Sequence, residues 1–304
     1  MILAAYSVSL VQEINDTEPY PDYYANIIGM KLKCDYDIDT RGFLKYWSNC
    51  FSYQYIGHDR IIPIISSVII VYLTYVLANS ITGNRIIGLI SMAAISQNPL
   101  LTRFDSSPTY DQLWCALFLL SIVLLYKKPV IGMMVYPISI MSKILAAAYI
   151  PAIISNIILD RTIPNRKLAI ISVSILAAVG ISMVFYLGIG NTIGFYPERI
   201  IDGFLSIFEN IWPIFPLVMG AIVIDRFFMP KSTIPSKKII LVWMAWILIT
   251  TPLIYMFTES QYQFGYRFVP FAVFFSIYLG IVGVQMGNFI VERKLNKQSL
   301  KSIS

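Results

Sequence analysis

Apolar runs recur from one end of this sequence to the other, separated only by short polar punctuation. Each is about the 20 residues that a helix needs to cross a hydrocarbon core roughly 30 Å thick. No other feature constrains the fold so strongly, because the gaps between runs are too short to hold a soluble domain. Composition agrees: 57% of residues are hydrophobic and 13% are charged, where soluble domains carry about 25% charged residues. The expectation is an all-α, polytopic transmembrane helical bundle, a single unit over 1–304 with about ten membrane segments and no soluble domain.

The clearest spans are 61–79, 86–101, 110–126, 168–187, 239–257 and 268–290, with shorter candidates at 130–142, 144–159 and 211–224. The pair flanking Lys143 reads equally as two broken or re-entrant helices. Residues 1–12 are apolar, too short to span alone and free of a basic leader, so they read as the end of a first helix that begins upstream. Charge sets the direction. With both termini inside, inner segments hold 14 of the 23 basic residues and three of the 17 acids. Basic residues favour the cytoplasmic side, so the expected arrangement is a multi-pass cell-membrane protein with an acidic outer loop over 13–60 and a basic cytoplasmic tail over 291–304. The net charge of +6 then reflects topology, and nucleic acid is not an expected partner.

Topology does not require the acids to crowd outside, and this crowding directs attention to two outer loops. The first carries Glu13, Asp16, Glu18 and Asp22 at a membrane exit. The second, TRFDSSPTYDQLW, compresses Arg103, Asp105, Tyr110 and Asp111 between two membrane ends. Residues 108–111 either start a helix, with Thr109 or Asp111 as cap, or present a carboxylate for catalysis or for a divalent cation such as Mg²⁺ or Mn²⁺. Asp111 is the candidate ligand. Lys143, Tyr266 and Arg267 add cations and an aromatic ring at other outer boundaries. Singly each cation can be a snorkelling anchor. Together, carboxylates on two loops and cations on two others could hold a phosphate and activate a hydroxyl. Two motifs carry less. DYDIDTRG has the alternating acids of a calcium loop but Tyr46 where the closing Glu belongs. Asn15-Asp16-Thr17 is a formal glycosylation acceptor set very close to the membrane. Cys34 and Cys50 share the outer loop and can pair there, which the sequence leaves open, and one histidine with three cysteines gives no zinc spacing.

These stretches resemble the polytopic GT-C glycosyltransferases, which use lipid-phosphate-linked sugars. The resemblance runs from Glu13 to about Leu159 with an echo at 266–271. It lies in INDTEPYPDYY, in the helix pair from Arg60 to Leu101, in TRFDSSPTYDQLW, in MSKILAAAYIPAII with its embedded Lys143, and in GYRFVPF. The sequence has no oligosaccharyltransferase-type WWD signature. The resemblance implies Asp16, Glu18 or Asp22 as the first-loop catalytic acid and Asp111 as its second-loop partner, with Asp105 beside it. It implies Lys143 and Arg267 as ligands of the lipid phosphate, in a substrate-binding set completed by Arg103, Asp105 and Tyr266. The implied partners are a polyprenyl-phosphate sugar donor in the membrane lipid and a protein or glycan acceptor. Two other classes stay open: a transporter or channel, and a non-catalytic subunit associated with other membrane subunits. Nearly every charge sits at a segment end, which favours an interfacial enzyme over a transporter.

Overall fold

A computed structural model describes residues 1–13, 43–108, 112–160, 162–186, 194–228, 236–257 and 265–301. Among these there are thirteen α-helices and no strand. Four stretches are apolar and long enough to cross a membrane: Ile61–Thr82, Pro197–Phe227, Ser236–Tyr255 and Gly265–Arg293. Five shorter helices are also apolar. The protein is thus an all-α, multi-pass, membrane-type chain.

Helix α1 (Ile2–Gln12) buries Tyr6 and Leu10. Helix α2 (Phe43–Phe51) runs into a π-turn at Ser52–Ile56. Helix α3 (Ile61–Thr82) stops at Gly83, whose φ of 68° is left-handed and suits a residue without Cβ. Asn84 then caps α4 (Arg85–Ser96), its Oδ1 accepting from the backbone of Ile86 at 2.8 Å. One tight turn therefore sets α3 and α4 side by side. The span expected at 86–101 is broken after Ser96. Pro99 disfavours a helical Asn98, and Asn98 instead caps the short α5 (Pro99–Thr102) by accepting from Leu100 N at 3.0 Å.

Helices α6 (Leu113–Lys127) and α7 (Pro129–Ser142) form the next hairpin, with Pro129 opening α7. They pack closely: a Cβ on Gly132 would stand 2.7 Å from the Ser121 carbonyl. Lys143 interrupts the next run in extended conformation (φ −156°, ψ 118°), followed by a 3₁₀ segment (Ile144–Tyr149) and α8 (Ile150–Leu159). The short paired elements expected around Lys143 are therefore present. Helix α9 (Arg166–Tyr186) follows.

The 211–224 candidate proves to be the second part of a longer apolar stretch. A 3₁₀ turn (Pro197–Arg199), α10 (Ile200–Ile211), a second turn (Trp212–Ile214) and α11 (Phe215–Phe228) continue one another. Helix α12 (Ser236–Tyr255) and a 3₁₀ turn (Gly265–Phe268) lead to α13 (Val269–Lys301). The segment expected to form a basic tail from 291 thus continues α13 as helix to Lys301.

Helix α13 is the axis of the core. Phe271, Phe274, Phe275, Ile277, Tyr278 and Ile281 are all buried along it, and it packs on α4, α11 and α12. Trp243 of α12 lies flat on Phe274, with centroids 4.7 Å apart. Lipid tails are as apolar as these side chains, so close packing and interhelical hydrogen bonds must hold the bundle together. Gly280 supplies such an approach. A Cβ there would meet the Ile87 carbonyl of α4 at 2.7 Å. At one end of the bundle Asp225 pairs with Lys237 and accepts from Tyr278 Oη at 2.9 Å, joining α11, α12 and α13.

Candidate functional site

The opposite end collects the residues of interest. The chain leaves α5 through Arg103, Phe104 and Asp105, and this loop lies across the end of α1. Asp105 is 2% exposed. Its Oδ2 accepts a hydrogen bond from the Tyr6 hydroxyl at 2.8 Å, and the Ser67 hydroxyl of α3 donates to its backbone carbonyl at 2.8 Å. Its other carboxyl oxygen, Oδ1, is buried as well. Next to it, the Ser106 hydroxyl donates to Glu13 Oε2 at 3.2 Å, and Arg60 Nη1 donates to the Glu13 carbonyl at 3.1 Å. Removal from water disfavours the Asp105 carboxylate. Burial raises its pKa, the Tyr6 hydrogen bond offsets part of that, and the negative Glu13 adds to it, so the value is pushed up to about 7. A carboxyl in that range can accept or release a proton at neutral pH.

Phe104 connects this acid to a cationic region. Its ring meets Tyr266 edge-on, with centroids 6.1 Å apart. Lys143 Nζ lies 3.5 Å from the centroid of the Tyr266 ring and 5.7 Å from that of Trp114. Arg267 follows Tyr266 in the chain and is 9% exposed, its guanidinium 6.0 Å from the Tyr255 ring centroid. Aromatic faces attract these cations. Helix α10 closes the side: Tyr255 Oη donates to Ser206 Oγ at 2.7 Å, and a Cβ on Gly265 would stand 2.6 Å from Asn210 Oδ1 and 2.9 Å from Phe104 Cε2.

Of the residues selected from the sequence, Lys143, Tyr266 and Arg267 therefore share one region, with Asp105 one residue from its Phe104 wall. Arg103 is exposed, its guanidinium 5.6 Å from the Phe104 ring centroid. Asp16, Glu18, Asp22 and Asp111 lie outside the described residues. So does Cys34, while Cys50 is held in a disulfide. Among the described residues no group of three or more His, Cys, Asp or Glu could hold a metal ion.

Tyr6 and Trp114 belong to the site although the sequence did not nominate them. A tyrosine inside the apolar run of α1 was the available signal, because a buried phenol needs a hydrogen-bond partner. The identity of that partner, 99 positions away, has no periodicity to betray it. No family model, curated protein or solved structure matches the chain.

Proposed function

We propose that this chain is a membrane glycosyltransferase that moves a sugar from a polyprenyl-phosphate-linked donor to an acceptor on the non-cytoplasmic side. The observation that carries the reading is the meeting of Lys143 with Tyr266 and Arg267 beside Phe104 and the buried Asp105. A polyprenyl phosphate keeps its tail in the bilayer, so its head group must be met at a helix-bundle end. Two cations backed by aromatic rings suit that task.

In the transfer, an acceptor hydroxyl oxygen bonds to the anomeric carbon as the bond from that carbon to the phosphate oxygen breaks. The acceptor's proton passes to a carboxylate, and the departing phosphate takes up the negative charge. Lys143 and Arg267 stabilise that charge, where electrostatic help is worth most. The carboxylate comes from Asp16, Glu18, Asp22 or Asp111, with Asp105 close enough to the aromatic wall to serve in the same proton balance. The orientation, with both termini inside, rests on the basic residues of the inner segments and on the Cys50 disulfide, which suits an oxidising compartment.

The test is binding of a short polyprenyl phosphate to purified protein. Charge-assisted contacts to phosphate are worth about 1.5–3 kcal/mol. Arg267→Ala or Lys143→Ala should therefore weaken binding about ten- to a hundred-fold. Arg267→Lys should recover only part of the loss, because the planar fork is gone. No binding by the wild type, or equal binding by all four proteins, would favour the transporter or subunit reading.

A further inference from the structure

Helix α2 is amphipathic in the opposite sense to a helix on a water-facing surface. Its polar side chains Ser48 and Asn49, with Ser52 of the π-turn, are buried against the protein, while Gln54 of the turn is exposed. Asn49 Nδ2 donates to the Pro108 carbonyl at 3.4 Å, tying α2 to the loop that carries Asp105. Its outward face is aromatic: Trp47 is 52% exposed, Phe51 40% and Tyr55 76%. These three rings form a ladder, Trp47 on Phe51 with centroids 5.7 Å apart and Phe51 on Tyr55 at 4.9 Å. Single exposed aromatics are ordinary on protein surfaces. A stacked ladder above a buried polar face is not.

The neighbouring surface indicates what covers the ladder. The chain turns at Gly57 (φ 85°) directly into α3, one of the membrane-length helices. Exposed Ile65, Ile69 and Tyr72 continue an apolar surface down α3 from exposed Ile56. Helix α2 also packs on α7, which exposes Met134 and Ile138. The lipid bordering α3 and α7 therefore also reaches α2. At 14 residues, α2 and its π-turn are too short to cross, since a span needs about 20. Tryptophan and tyrosine favour the head-group level, where an apolar ring and a polar tip are both accommodated. A sugar would need open ring faces. Here Phe51 stacks between Trp47 and Tyr55, so ring faces inside the ladder are turned to each other.

We infer that α2 is an in-plane anchor whose Trp47–Phe51–Tyr55 face beds in the interfacial layer of the outer leaflet, while its polar face holds the 103–108 loop over the site. The inference rests on the membrane character of the chain and on the orientation proposed above, not on glycosyltransferase chemistry.

Tryptophan quenching in reconstituted full-length protein tests it. Trp114 and Trp243 are buried, so Trp47 and Trp212 are the strongly exposed indoles. Vesicles are made of phosphatidylcholine brominated near the carbonyl level, or of unbrominated lipid, with iodide as the aqueous quencher. Trp47→Phe should lose bromolipid-quenchable emission, on the order of one indole's share, and little iodide-quenchable emission. Adding Tyr55→Trp to that variant should restore the bromolipid-quenchable part, which makes a folding defect distinguishable from a loss of anchor. Emission from Trp47 that iodide quenches and bromolipid does not would overturn the inference. So would an iodide-accessible Trp47 shielded only when a soluble oligosaccharide is added, because the ladder would then be a glycan platform.

Discussion

Asp105 gives this structure its most specific pH dependence. Its pKa is about 7 in the folded protein, raised first by burial, with Tyr6 opposing and Glu13 reinforcing. In the unfolded chain an aspartate titrates near 4, by the usual value of about 3.9. Between those two values the folded protein holds a proton that the unfolded chain has released. Folding then takes up a proton, so stability must fall as pH rises through the window. The slope is at most about 1.4 kcal/mol per pH unit for one proton, and the sum across the window is on the order of 4 kcal/mol. Above about 7 this contribution levels off. Asp105→Asn keeps an acceptor for Tyr6 Oη and cannot titrate, so its profile should be flatter over that range. Tyr6→Phe removes a hydrogen bond that lowers the value, so the decline should extend to higher pH. Thermal unfolding of the three proteins in detergent, from mildly acidic to mildly alkaline buffer, measures this directly. Parallel profiles for the wild type and Asp105→Asn would refute the reasoning.

Asp225→Ala leaves the Lys237 ammonium and the Tyr278 hydroxyl without their shared carboxylate and should cost about 3–5 kcal/mol, as breaking a buried pair does. Denaturant unfolding should show Asp225→Asn with Lys237→Met recovering much of that loss. Gly280→Ala sets a methyl 2.7 Å from the Ile87 carbonyl and should destabilise the α4–α13 contact by about 1–3 kcal/mol, while Gly287→Ala, with nothing within 4 Å, should be close to neutral. For topology, a membrane-impermeant maleimide added outside should label a cysteine engineered within 35–39 and none within 230–236; the reverse pattern would overturn the orientation.

The sequence reveals elements better than their partners. The runs at 61–79 and 268–290 are both strongly apolar, so both read as spans. Only the structure separates α13, buried on most sides, from α3 with its exposed Ile65, Ile69 and Tyr72. Hydropathy also hides punctuation. Asn98-Pro99 is a cap-and-stop signal, yet the apolar residues on either side conceal it in a count. The opposite happens at α10, where Asp202 and Glu209 interrupt the apolar pattern although the helix is continuous with α11 through a 3₁₀ turn. At the site, Lys143 and Arg267 are legible because a charge between apolar runs has few places to go. That Lys143 lies over the ring of Tyr266, the residue before Arg267, is a tertiary fact, as is the bond from Tyr6 to Asp105.

The proposed transferase and a transporter place different demands on the polar groups along the bundle. Transport needs polar or ionisable groups near the membrane centre, commonly where helices are discontinuous. Several hydroxyls within the helices are turned back on their own backbones. Thr74 donates to the Ile70 carbonyl at 2.8 Å, Ser91 to Ile87 at 2.7 Å and Ser121 to Phe118 at 2.6 Å. Bonds of this kind satisfy the side chain locally and offer little to a passing solute. Phe118, Trp243 and Phe274 pack ring on ring in the same core. The ionisable network of Asp225, Lys237 and Tyr278 stands at one end, and Asp105, Lys143 and Arg267 stand at the other. Helix α13 carries Tyr278 and begins directly after Arg267, so the two ends share one rigid, buried element. On the proposed reading, the lipid head group is met at the Lys143 end of that element.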